Sequence, residues 1–231
     1  YGLSPLWPDT SQPVVRHTSP MILSTAYAPP IQYFAKLASG KVLLEACEHY
    51  IKQTYRNRCR ILAADGVQEL SIPVEQGASE QCPIREVRIS EHNNWRARHW
   101  QTLKSCYGMA PFYEYYAPDI EPFYRKRYTF LYDFNLELME LIAGLMHLDI
   151  SITETETYQA TYPEDFRLSI RPKKPAFDPY FNAQVPYYQV FKGENGTDFT
   201  PNLSVYDLLF NEGPLAPILL KKSIIRHPSI L

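Results

Sequence analysis

Apolar residues along this 231-residue chain come in short runs broken by proline and glycine, and the period of each run predicts an element. "MILSTAY" at 21–27 is a continuous apolar run closed by Pro29 and Pro30, which predicts a buried strand and a turn. In "IQYFAKLAS", Ile31, Phe34, Ala35 and Ala38 recur at helical spacing, and Gly40 supplies the stop. "KVLLEAC" at 41–47 returns as a second buried strand. Strand, proline turn, helix and strand in such quick succession predict a βαβ unit, and hence a parallel pair.

"CRILAADGVQELSIPV" predicts a hairpin turning at Asp65-Gly66, and "REVRIS" alternates as a short strand. "WRARHWQTLKSCYG" is helical and closed by Gly108. Its Trp95, His99, Thr102, Leu103 and Cys106 share one face, while Arg96 and Lys104 lie on another. "PDIEPFYRKRY" begins a further helix, "NLELMELIAGLMHL" is the clearest amphipathic one, and "DISITETETY" alternates as a strand. "LSVYDLLFN" at 203–211 is the last predicted helix, stopped by Gly213-Pro214. The fold class that follows is α/β: a small, mainly parallel or mixed sheet with flanking helices and a helical C-terminal half. Residues 1–20 read as an extended arm and 21–158 as the α/β core. Residues 159–231 read as an irregular Tyr/Pro-rich segment plus the last helix, packed on the same domain.

Composition narrows the function classes. Lys and Arg number 23 against 25 Asp and Glu, so the basic excess of a nucleic-acid binder is missing. The most apolar helical stretch, 138–148, is too short to span a bilayer and carries Glu140 and His147. "YGLSPLWPDTSQP" has no basic start followed by an apolar run, so a cytoplasmic protein is expected. Cys47, Cys59, Cys82 and Cys106 form no CxxC pair and have no histidines at zinc-finger spacing, so reduced thiols and no metal are expected. No GxSxG, HExxH, GxGxxG or Walker pattern occurs, and no cofactor is predicted.

Three polar clusters are left to carry chemistry. "IKQTYRNRCRI" places Lys52, Arg56, Arg58 and Arg60 together, with Asn57 and Tyr55 between them. Such a cluster suits a phosphate or carboxylate. Equally, it suits a solvated basic face neutralised by acids such as Glu45, Glu48 and Glu69. His99, flanked at i±4 by Trp95 and Leu103, points into packing and is either a general base or a satisfied core histidine. His49 stands beside the basic cluster. In "PNLSVYDLLFNEGP", Asn202 and Ser204 suit a helix N-cap, and Asp207 and Asn211 lie one turn apart.

"LSTAYAPPIQYFAKL", "YRNRCRI", "LSIPVE", "PIREVRI", "WRARHWQTLKSCYGMAPFYEYY", "YDFNLELMELI" and "PNLSVYDLLFNEGP" together resemble the WbqC-like family, in family order from about residue 21 to 214. The resemblance implies an association with O-antigen and other surface-polysaccharide biosynthesis. By position, the family's polar signature falls on Tyr27, Pro29 and Gln32, on Lys52, Arg56, Asn57 and Arg58, on His99, and on Asn202, Asp207 and Asn211. Many relatives have Gln-Pro before the first aromatic and Trp-Gly after its proline. This chain has Thr25-Ala26 and Pro30-Ile31-Gln32 instead.

The resulting expectation is a transferase acting on a nucleotide-activated or phosphorylated sugar. Lys52, Arg56 and Arg58 would hold the phosphate, His99 would be the acid/base, and Tyr27, Gln32 and Asn202 would orient the substrate. The alternative is a non-catalytic glycan- or protein-binding subunit. The first predicts that Arg56 and His99 face one pocket, and the second predicts an exposed aromatic surface. The expected partner is an anionic small molecule, not a nucleic acid, and the oligomeric state stays open.

Overall fold

The computed structural model describes residues 19–75, 81–173, 178–181, 184–193 and 196–224. The predicted N-terminal arm lies almost wholly outside them. The apolar runs at 21–27 and 41–47 become β1 (Met21–Ser24) and β2 (Lys41–Glu45), paired in parallel with Ser24 opposite Glu45. Between them runs α1 (Ile31–Ser39), so the βαβ expectation holds. β2 also pairs in parallel with β5 (Ser151–Glu154), giving the order β1-β2-β5. All three strands therefore end at the same edge, at Ser24, Glu45 and Glu154. The outer edge of β1 is covered by 164–166: Ile22 N–H donates to the Glu164 carbonyl, and Phe166 N–H donates to the Ile22 carbonyl.

A separate antiparallel hairpin pairs β3 (Arg58–Ala63) with β4 (Gly66–Ser71) and turns at Asp65-Gly66, as its sequence predicts. Gly66 has φ +114, a conformation open to glycine. The helical part comprises α2 (Trp95–Tyr107), α3 (Tyr113–Arg125), α4 (Leu131–Leu145), α5 (Val205–Glu212) and α6 (Ala216–Lys222).

Several boundaries differ from the sequence pattern. α3 starts at Tyr113, not near Pro118, and keeps Pro118 and Pro122 inside it. An interior proline costs a helix about 3 kcal/mol, but the α3 face bearing Tyr113, Tyr116, Ala117, Ile120 and Tyr124 is buried in the core. "REVRIS" is not a strand. A 3-10 turn, Ile84–Glu86, leads into single bridges at Arg88 and Ile89. Only four residues of "DISITETETY" join the sheet. α5 is not the last helix: Gly213 (φ +48) ends it, and Pro214 and Pro217 then occupy the first positions of the next turns.

One apolar core joins β1, β2, the hairpin, α2–α5 and the loop aromatics Phe166 and Tyr187. The turn after β1 is held by long-range backbone bonds. Tyr27 N–H reaches the Tyr55 carbonyl, Ile31 N–H the Leu203 carbonyl, and Val205 N–H the Pro29 carbonyl. Ser204 caps α5 and also donates its hydroxyl to the Ala28 carbonyl at 2.7 Å. These contacts hold Ala28 at φ +37, a strained angle for a residue with a Cβ.

Candidate functional site

Open parallel sheets hold ligands beyond the carboxyl ends of their strands. At that edge here lies a cleft of about 480 Å³ lined by Cys47, Glu48, His49, Tyr158, Asp165 and Arg167, among others. Its polar side chains arrive because of where β1 and β2 end. Ser24 closes β1. Glu45 closes β2, and the chain then turns through Cys47, Glu48 and His49.

Two buried arginines organise this edge. Arg56 donates Nε to Glu48 Oε1 at 2.8 Å, and one terminal nitrogen to Glu48 Oε2 at 2.6 Å and to Ser24 Oγ at 2.7 Å. Its other terminal nitrogen reaches Thr54 Oγ1 at 3.2 Å. Arg167 donates to both Asp165 oxygens, to Glu45 Oε2 at 3.0 Å, and to the carbonyls of Gln159 and Ala160. Hydrogen bonds donated to Asp165 push the Arg167 pKa up, so the guanidinium stays charged. A guanidinium has five N–H groups. Arg167 has spent all of them, and Arg56 all but one. The oxygens of Glu48 and Asp165 all accept from these two arginines, so the cations are neutralised, and Asp165, its side chain 28% exposed, is the carboxylate within reach of a ligand. The Tyr158 ring packs on the Arg167 guanidinium at 5.3 Å and is still 57% exposed, which leaves an aromatic face at the mouth.

The predicted residues are distributed over several places. Lys52, Arg56 and Arg58 do not converge on one spot. Arg56 is buried on Glu48, Arg58 pairs with Glu69 at 2.9 Å, and Lys52 is exposed. Two of the three acids named as neutralising partners thus take that role, and the third, Glu45, pairs with Arg167. The reason is burial: an arginine removed from water needs a carboxylate partner, and Glu48 is eight residues away. Asn57 donates its amide to the Ile72 carbonyl at 2.9 Å and so fixes the hairpin. His49 alone of the set lines the carboxyl-edge cleft, where it is exposed.

Tyr27 and His99 do meet, away from that cleft. The Tyr27 hydroxyl lies 3.0 Å from His99 Nδ1 and 2.7 Å from the Tyr124 hydroxyl, which lies 3.0 Å from that of Tyr206. Tyr206, Tyr124 and Tyr27 thus form a chain of hydroxyls that ends on His99 Nδ1. Burial is the main cause that lowers the His99 pKa, to about 4, so the ring is neutral near pH 7. The Ser71 backbone opposes burial by favouring the protonated ring. His99 lines a cleft of about 280 Å³, separate from the one holding His49. Arg56 borders a third, very small cavity with Ser24 and Arg167.

Gln32 and Asn202 bind each other: Gln32 N–H donates to Asn202 Oδ1 at 3.0 Å, and Asn202 Nδ2 to Gln32 Oε1 at 3.2 Å. Gln32 and Lys36 both donate to Asp178, at 2.7 and 2.9 Å. Burial lowers the Lys36 pKa, against the pull of Asp178. Asp207 and Asn211 form a third buried group, in which Asp207 accepts from Tyr187 Oη at 2.6 Å and Gln189 Nε2 at 2.7 Å. Burial raises the Asp207 pKa to about 6, against those two hydrogen bonds.

Sequence reasoning missed Arg167, Asp165, Lys36, Asp178, Tyr124 and Tyr206 as polar organisers. The available signal was two glutamates, Glu45 and Glu48, at the end of a strand predicted to face a ligand. Their arginine at 167 sits in the irregular segment, where no local pattern marks it. Among the described residues, no group of three or more His, Cys, Asp and Glu is placed to hold a metal. No helix among them is long and apolar enough to cross a membrane.

Residues 25–172 match the family described as WbqC-like protein family, a span that covers Glu45, Glu48, Arg56, His99, Asp165 and Arg167 but not α5. The chain is also 24% identical over 224 residues to "Uncharacterized protein Rv1507c" of Mycobacterium tuberculosis (strain ATCC 25618 / H37Rv), covering 85% of this chain and 94% of that one. No solved structure matches.

Proposed function

The chain belongs to the WbqC-like protein family, and from that premise we propose that it acts on a nucleotide-activated or phosphorylated sugar in surface-polysaccharide assembly. The sugar sits in the cleft at the carboxyl edge of the sheet. The observation that carries this reading is the exposed tyrosine face beside the part-exposed Asp165 carboxylate. Carboxylates accept from sugar hydroxyls, and an aromatic face stacks on a pyranose ring. Arg56 and Arg167 serve by orienting Glu48 and Asp165. The phosphate meets exposed His49 in the cleft wall, with exposed Lys52 next in the chain to Ile51 of the same wall.

As a transferase, the protein uses His49 to take the proton of the attacking hydroxyl. A new bond then forms to the anomeric carbon, and the phosphate leaves with the electron pair of the bond it breaks. A second, non-catalytic reading is favoured by one observation: Arg56 and His99 border different cavities, while Tyr158 and Tyr188 are exposed.

Thermal shift with UDP-glucose, UDP-N-acetylglucosamine, glucose 1-phosphate and UDP tests the binding. At a hundredfold excess over Kd a ligand stabilises by about 2.7 kcal/mol, which for a chain of this size is a rise of roughly 5–10 °C. Tyr158→Ala loses the rise while keeping its ligand-free Tm. If none of these molecules raises Tm, the reading fails. His49→Ala separates the two forms, because the transferase loses function in a surface-glycan complementation assay while the binding subunit keeps it.

A further inference from the structure

The cleft that contains His99 is built around the N-terminus of α2, and the geometry points to a separate binding site there for a phosphate group. Its wall takes Trp95, Arg98, His99 and Thr102 from one face of α2, at i, i+3, i+4 and i+7, and His92 and Asn93 from the preceding turn. Glu69, Leu70, Ser71 and Pro73 close the other side.

Four observations converge on an anion. Arg98 has no ion pair among the described residues. The nearby acids are committed elsewhere, Glu91 to Arg96 and Glu69 to Arg58. Trp95 is 4% exposed, and its indole N–H is buried without an acceptor among the described residues. The first turn of α2 has no side-chain cap and no acidic residue.

A helix start carries partial positive charge, and adding the unpaired Arg98 to it is unfavourable unless an anion answers. Asn93 and Asn94, at φ +59 and +48, hold the left-handed turn that brings His92 and Asn93 to this cleft. The exposed donors are the Arg98 guanidinium, the Asn93 amide and the His92 imidazole, and the unpaired Trp95 indole N–H lies buried in the same wall. The volume, about 280 Å³, suits a phosphate or a small phosphorylated group better than a whole nucleotide-sugar. This site is distinct from the carboxyl-edge cleft, and no residue lines both.

The test follows the Trp95 indole resonance in 15N-labelled full-length protein, identified by its loss in Trp95→Phe. Inorganic phosphate, glucose 1-phosphate and UDP are titrated in turn. A saturable shift with inorganic phosphate identifies a free-anion site. A shift with only the phosphorylated sugar or UDP identifies a site for the phosphate of a larger ligand. Arg98→Gln, an exposed position, weakens the response at least about tenfold. Lys104→Gln, the same charge change at the far end of α2, alters it less than about twofold. The inference is overturned if no probe moves the indole, if Arg98→Gln responds like wild type, or if Lys104→Gln weakens binding equally. It is likewise overturned if Tyr158→Ala, in the other cleft, abolishes the shift.

Discussion

Replacing Glu48 by Gln removes the carboxylate that faces Arg56 while keeping the side chain's shape. In the native protein, Glu48 accepts from Arg56 Nε at 2.8 Å, from a terminal Arg56 nitrogen at 2.6 Å, and from Ser24 Oγ at 3.1 Å. The two side chains are 2% and 6% exposed, so water cannot replace the lost charge. The amide would keep one accepting oxygen and turn a donor towards a donor. Breaking a buried pair from one side costs about 3–5 kcal/mol, a fall of roughly 6–20 °C in Tm for a chain of this length. Urea denaturation of wild type, Glu48→Gln, Arg56→Met and the double variant closes a thermodynamic cycle. The double variant, with no stranded charge, should lie within about 2 kcal/mol of wild type. A loss below about 1 kcal/mol in Glu48→Gln, or strict additivity in the cycle, would refute the claim that this pair is dry and coupled.

Other outcomes follow from the same geometry. His99 holds a folded pKa near 4 against 6.5, so the unfolded chain binds more protons between those values and stability falls as pH drops through that window, by about 3 kcal/mol. Asp207, raised from 3.8 to about 6, works in the opposite direction: its contribution is present at low pH and is lost as pH rises through that window. Relative to wild type, pH-dependent denaturation of His99→Gln should therefore lose the acid-side penalty, and Asp207→Asn should deepen it. Tyr124→Phe removes the hydroxyl that hydrogen-bonds both Tyr27 and Tyr206, and should cost about 1–3 kcal/mol in a urea titration. Tyr206→Phe, at the end of the chain, should cost less. Gly213→Ala places a Cβ within 2.6–2.9 Å of the Phe112 ring at φ +48, so Tm should fall, and Phe112→Ala in the same chain should return part of the loss.

The elements easiest to read in the sequence were those whose signals are local. The Asp65-Gly66 turn, the Gly40 and Gly108 stops and the apolar runs of β1 and β2 depend on neighbours a few residues away. α3 was obscured because Pro118 reads as a helix start, whereas tertiary packing of Tyr113 and Tyr116 carries the helix through it. α6 was hidden by Gly213-Pro214, which ends one helix and also opens the next. The site was less legible still. Glu45 and Arg167 are 122 positions apart, Lys36 and Asp178 142, and Tyr27 and His99 72, so nothing local announces these pairs. Where the partner was close, as with Glu48 and Arg56, the sequence named the acid. It could not say whether the arginine faced that acid or a ligand.

The claim that the carboxyl-edge cleft holds a sugar is tested most directly by a crystal structure grown with UDP-glucose. The account predicts the glucose ring against Tyr158, with a hydroxyl donating to Asp165 and the diphosphate turned towards His49. Ordered UDP-glucose elsewhere, with the cleft between Glu48, Asp165 and Tyr158 left to solvent, would contradict it.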